Sequence, residues 1–171
     1  MQWSPSARLQ YPQPEGVRIA GGGTLEFETA VKLNLYRTIA ETTRAPDAAD
    51  VARALGSSLS RVEEAFATLA GKRLLVLEPG TGTRIRMAPP FSAIETPFLV
   101  RVGEKAYYAN CAWDALGISA ALHRDARVSA SDGHTGEPLD LEVRGGEPVP
   151  RPCAIHFAVP AARWWDDIIY T

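Results

Sequence analysis

The hydrophobic period of this chain changes along its length, and that change limits what it can fold into. Apolar side chains first recur at every fourth position (Phe27, Val31, Leu35, Ile39), the spacing of a helix with one buried face. Pro46 breaks that run, and Asp47 is an N-cap candidate for a second helix in "PDAADVARALG", ended by Gly56. A third helix is predicted in "SSLSRVEEAFATLAGKR". There Ser60 and Glu63 have capping-box spacing, and Val62, Phe66 and Leu69 form an inner stripe. The pattern then shortens to two β-runs, "LLVLE" and "TRIRM", joined by "PGTG". Past Ser92 come "FLVRV", "KAYYA", "ARVSAS", "LDLEV" and "AIHFAV", all rich in β-branched or aromatic residues.

This order predicts an α+β chain. Residues 1–23, with several prolines and glycines, read as an irregular arm. Three helices and a hairpin over 24–88 predict a winged helix-turn-helix. "APPFS", Ala88 to Ser92, reads as a linker. Residues 89–171 are expected to form a mixed, mostly antiparallel sheet domain, with one helix between its second and third strands and a short one in "PAARWWDD".

A winged helix raises the question of DNA. Here the would-be reading helix carries Glu63 and Glu64 beside a single Arg61, and the wing offers only Arg84 and Arg86. Phosphate contacts need clustered cations, and the formal net charge of the chain is -2. The helical half is therefore expected to pack on the rest of the chain, and nucleic acid is not expected as a partner. No apolar run reaches membrane-span length and no signal-peptide core opens the chain, so a cytoplasmic location is expected and no membrane partner. The triplet Gly21 to Gly23 has neither a strand before it nor a lysine after it and reads as a flexible link.

The two cysteines, Cys111 and Cys153, are too few for a disulfide scaffold. Cys111 lies in "YYANCAWDALGI". With Asn110 as N-cap, Cys111 is the first residue of a helix and Asp114 the fourth, so sulfur and carboxyl share a helix face. The helix start is expected to lower the thiol pKa, and the carboxyl can take its proton and pass it on. Packing of the thiol and dipole compensation by the aspartate is the plainer alternative. Cys153 alternates with Ile155 and Phe157 and is expected to face a core. The three histidines, His123, His134 and His156, lack zinc-site spacing.

The block from Tyr107 to Ile118, followed by "ALHRDARVSASDGHTGEPLDLEV" and "AIHFAVP", resembles the organomercurial (alkylmercury) lyases. The likeness lies in an aromatic strand ending Tyr-Ala, then Cys-Ala-x-Asp, an apolar helix, Ala-Arg-Val-Ser and the Thr135 to Pro138 turn. It implies protonolysis of carbon–mercury bonds. By this resemblance Cys111 captures mercury as a thiolate and Asp114 delivers the proton. Both would hold the metal. The partners are a small organomercurial and the mercuric ion product, with external thiols as co-substrate and no tightly bound cofactor. A soft-metal-binding or sensing protein with a winged helix is the non-enzymatic alternative. The family's second cysteine aligns just after Thr171, not at Cys153, which predicts a divergent or C-terminally truncated member. Asn110 stands where the family has an aromatic, and Asp132 where some members carry an extra cysteine.

Overall fold

The computed structural model describes residues 24–169. The irregular arm expected over 1–23 lies outside the described residues. Helix α1 spans Thr24–Thr42, and its stripe of Phe27, Val31, Leu35 and Ile39 is buried as the period requires. Helix α2 spans Ala48–Leu55. The Asp47 side chain caps it by accepting from the Asp50 amide at 2.8 Å, and Gly56 closes it with φ +60°, a left-handed conformation that glycine adopts without a Cβ penalty. Asp47→Ala should therefore cost about 1 kcal/mol, read as a lowered urea midpoint at unchanged m-value; an unshifted midpoint would show that the cap contributes nothing.

Helix α3 spans Leu59–Gly71, with Val62, Ala65, Phe66 and Leu69 buried. The capping box expected at Ser60 and Glu63 is not used. Ser58 is the N-cap, its hydroxyl accepting from the Arg61 amide at 3.4 Å, which places Ser60 inside the first turn. Strands β1 (Val76–Leu77) and β2 (Ile85–Ala88) then form the expected hairpin.

The segment read as a linker is a structural element instead. Strand β3 (Phe91–Ser92) pairs back on β2, Ala88 against Phe91, across a cis Pro89–Pro90 bond. It pairs onward with β5 (Lys105–Ala109), Phe91 against Ala109. Strand β4 (Leu99–Val102) follows β5 in the sheet, then β6 (Ala126–Ser131), β7 (Pro138–Arg144) and β8 (Glu147–Pro148). Among the described residues the result is an eight-stranded sheet ordered β1-β2-β3-β5-β4-β6-β7-β8, every pair antiparallel. The hairpin beside the helices and the strands of the second half thus share one ladder.

Register sorts the sheet into two faces. Val100 pairs with Tyr107 and Val128, and all three are buried. The next rung, Ala106, Arg101, Arg127 and Glu142, faces the other way. Helix α1 lies on the apolar face: the Tyr107 hydroxyl and Lys105 Nζ both donate to the Ala40 carbonyl, at 2.7 and 2.9 Å. Helix α4 (Ala112–Leu122) buries Ala115, Ile118 and Ser119. One hydrophobic cluster runs from Phe27 through Phe66 to Ile118 and Val128.

The predicted strand "AIHFAV" does not form. After Val149, whose amide still donates to the Glu142 carbonyl, the Arg151 guanidinium takes the Asp140 carbonyl in place of a backbone rung. Pro148, Pro150 and Pro152 also hold φ near -65°, away from the extended antiparallel value. Residues 154–159 carry no ladder, and Cys153, Ile155 and Phe157 are exposed rather than in a core. The predicted short helix is a 3-10 turn, Ala161–Asp166. Its Trp164 packs on Phe157 with ring centroids 5.1 Å apart, and its Trp165 ring lies 5.7 Å from the Arg73 guanidinium.

Candidate active site at the β5–α4 junction

Strand β5 leads straight into helix α4. The Ala109 carbonyl accepts from the Thr96 hydroxyl at 2.6 Å, and its amide donates to the Phe98 carbonyl, so the strand end is fixed from both sides. The helix begins three residues later, at Ala112, one position after the sequence expectation. Cys111, not Asn110, is the N-cap: its backbone is extended and its carbonyl accepts the first helical bond from Ala115 at 2.9 Å. Asn110 is withdrawn from capping because its side chain is engaged elsewhere. Nδ2 donates to Asp114 Oδ2 at 2.8 Å and to the Phe91 carbonyl at 3.4 Å.

Cys111 and Asp114 remain three residues apart at the start of α4, both half-buried. The electrostatics differ from expectation. Burial pushes the Cys111 thiol up, and the nearby Asp114 carboxylate pushes the same way. The amides of Asp114 and Trp113 favour the thiolate, yet no side-chain capping hydrogen bond of normal geometry forms. Desolvation therefore outweighs the helix start. For Asp114, burial also raises the pKa, and the Asn110 bond opposes that shift. A carboxyl displaced upward retains a proton more readily near neutrality, as a general acid must.

An aromatic wall stands behind this pair. Tyr36, from α1, donates its hydroxyl to the Pro89 carbonyl at 2.9 Å. Burial, then the negative charge of Asp114, pushes its pKa up to about 12. Phe91 lies between Tyr36 and Tyr107, at ring-centroid distances of 6.3 and 5.5 Å. Gly117 lets α4 approach this wall, since a Cβ there would come within 3.4 Å of the Pro90 Cβ. Sequence reasoning missed Tyr36 and Phe91. Tyr36 lies beside the buried helical stripe rather than in it, and only the fold brings it to residue 114. Trp113, by contrast, is 60% exposed next to the thiol.

The other sequence candidates lie apart from this site. His123 is the left-handed C-cap of α4, and His156 is exposed. Asp132 Oδ1 accepts from the His134 and Thr135 amides and the Thr135 hydroxyl, which holds its carboxyl below the usual range and shapes the Thr135 to Pro138 turn. No group of three or more His, Cys, Asp or Glu side chains able to hold a metal ion occurs among the described residues. Two depressions of about 490 and 440 Å³ flank Arg101, Arg127 and Glu142, and neither includes Cys111 or Asp114.

The family model for alkylmercury lyase matches residues 91–171, the stretch that contains β3 to β8 and the Cys111–Asp114 pair. That segment is therefore similar to the alkylmercury lyases. Among solved structures, the mercury-bound form of MerB2 is similar, with a TM-score of 0.56 and 23% identity over 74% of this chain and 66% of that one. The likeness is one of fold: a mixed helical and antiparallel-sheet architecture shared with MerB2. This chain spans just under two thirds of that structure's length. No curated protein matches. No helix among the described residues is long and apolar enough to cross a membrane.

Proposed function

We propose that this protein is an organomercurial lyase in which Cys111 captures mercury and Asp114 supplies the proton that cleaves the carbon–mercury bond. The observation that carries this reading is the pairing, at the start of α4 within the family-matched segment, of a half-buried thiol with a carboxyl whose pKa is raised. In the first step the Cys111 thiol displaces the ligand X of R–Hg–X, and its proton passes to the Asp114 carboxylate. Sulfur–mercury bonding replaces mercury–X, and the soft ligand weakens the mercury–carbon bond. In the second step Asp114 returns the proton to carbon, releasing R–H. An external thiolate takes the vacated position on mercury, leaving the mercuric ion between two sulfurs. A reducing cytoplasm suits both the free thiols of the chain and the external thiol.

Residues 24–88 serve this site as a winged-helix-like packing module rather than a DNA reader. Arg61 lies over the Phe27 ring at 4.0 Å, and Arg86 is paired with Glu78 at 3.2 Å, so two of its cations are engaged within the protein. The alternative of a metal sensor rests on the single thiol at the site, since Cys153 does not join Cys111 and Asp114 in a ligand cluster.

The test is turnover of phenylmercury in excess thiol by this chain and by Asp114→Asn. The variant should still capture mercury through Cys111, while hydrocarbon release falls by about 100- to 10,000-fold. Capture without cleavage by the parent chain would instead make this a mercury-binding protein. The same substitution carries a stability signature. A carboxyl whose folded pKa lies above its unfolded value binds its proton more tightly when folded. Its stabilising effect is therefore complete below the unfolded pKa and is lost as pH rises toward the folded one. Asp114→Asn removes that penalty and should leave the protein as stable at pH 7 as the parent, or more so, by urea denaturation.

A further inference from the structure

Asn110 occupies an unusual position. Its Nδ2 makes two contacts, to Asp114 Oδ2 at 2.8 Å and to the Phe91 carbonyl at 3.4 Å, while its own Oδ1 is buried and accepts no hydrogen bond. A side-chain amide has two N–H groups, so both contacts can be made at once. The opposite amide orientation would set a carbonyl oxygen against the Phe91 carbonyl and the carboxylate, acceptors without a donor, so the nitrogen must face them. A buried acceptor left without a donor is unfavourable. What the residue contributes is therefore its two donors, held between the β3 backbone and the first turn of α4.

We propose that Asn110 is the positioning residue of the site: by tying Asp114 Oδ2 to β3 through its amide, it fixes the carboxyl plane and leaves Oδ1 as the oxygen that exchanges a proton with Cys111 and the substrate carbon. The proposal rests on the lyase reading of Cys111 and Asp114. Rotation of an aspartate about its last torsion interchanges the two oxygens; a donor fixed to one of them prevents that. Phe91 is itself paired with Ala109, the residue just before Asn110, so the clamp and its anchor move together. A phenylalanine at position 110 could not make these contacts, since its ring carries no N–H.

The test combines kinetics with a spectroscopic signature. Asn110→Leu keeps the volume and removes both donors. Its kcat for phenylmercury protonolysis should fall by about 10- to 100-fold, with KM and mercuric-ion affinity within about two-fold of the parent. A purely structural role would lower thermal stability without dividing kcat from KM. In 15N NMR of the intact chain, the Asn110 side-chain amide resonances should shift when Asp114 is replaced by Ala. Asn110→Asp, which preserves shape but turns the donor into an acceptor, serves if the leucine variant does not fold, and should lose at least as much kcat. An unchanged kcat in these variants, or Asn110 resonances indifferent to Asp114→Ala, would overturn the proposal. If the parent chain cleaves no organomercurial, the lyase reading is what fails, and the amide resonances alone then decide whether Asn110 holds Asp114.

Discussion

Cys111→Ser, made together with Cys153→Ser so that the exposed second thiol does not bind mercury by itself, should abolish mercury capture and lower organomercurial cleavage by on the order of 1,000-fold or more. Serine is nearly isosteric with cysteine, but its hydroxyl is a hard ligand that stays protonated at neutral pH, whereas mercury needs a soft thiolate. The position makes the experiment sharper. Cys111 is the N-cap of α4 and makes no side-chain capping bond there. Serine is among the preferred N-caps, so the variant should be more stable than the parent by about 0.5–1 kcal/mol. Loss of function with a gain in stability cannot be put down to misfolding, and it places the thiol among residues retained for chemistry at some cost to the fold. Equilibrium dialysis with mercuric ion, headspace detection of benzene from phenylmercury, and urea denaturation read the three quantities. A serine variant that still binds mercury like the parent would remove Cys111 from the mechanism.

The largest effect on stability is expected at Phe66. Its side chain is fully buried in α3, within a cluster that continues through Ile118 and Val128. Phe66→Ala should cost about 3–5 kcal/mol, a large part of a typical domain's total stability. Because one sheet runs from the β1–β2 hairpin to β8 and one core lies beneath it, the loss should appear as a single shifted transition. Far-ultraviolet circular dichroism and Cys111 alkylation should report the same midpoint. Two separated transitions would mean that residues 24–88 and 89–171 melt as independent domains.

Where sequence reading succeeded or failed follows from how far each signal reaches along the chain. The stripe Phe27, Val31, Leu35 and Ile39 was legible because four side chains on one helical face have no other explanation, and the Asp47 cap and Gly56 stop are likewise local. "KAYYA" and "ARVSAS" were legible as strands for the same reason. "AIHFAV" has an equally good alternation, but a strand exists only if a neighbour offers it a ladder, and the Arg151 side chain ends that ladder. Pro89 and Pro90 look like a spacer in sequence, yet here they turn the chain between two paired strands. At the site, the spacing of Cys111 and Asp114 was readable, while the direction of the thiol shift was not. The helix start is a local feature; the desolvation that outweighs it depends on neighbours distant in sequence. Tyr36 shows this most clearly, being 78 positions before the carboxylate whose charge it feels.

The prolines that follow β7 have one more consequence, which concerns how copies of the protein meet. β8 is the last strand of the sheet. The Val149 amide points inward, to the Glu142 carbonyl. In extended chain, amides alternate in direction, so those of residues 148, 150 and 152 would point outward, and all three are proline. The outer rim thus offers carbonyls but no row of N–H groups to an approaching strand from another molecule, which is how natural sheets resist edge-to-edge aggregation. The prolines at 148, 150 and 152 leave this edge of the fold with a rim on which another chain cannot readily template.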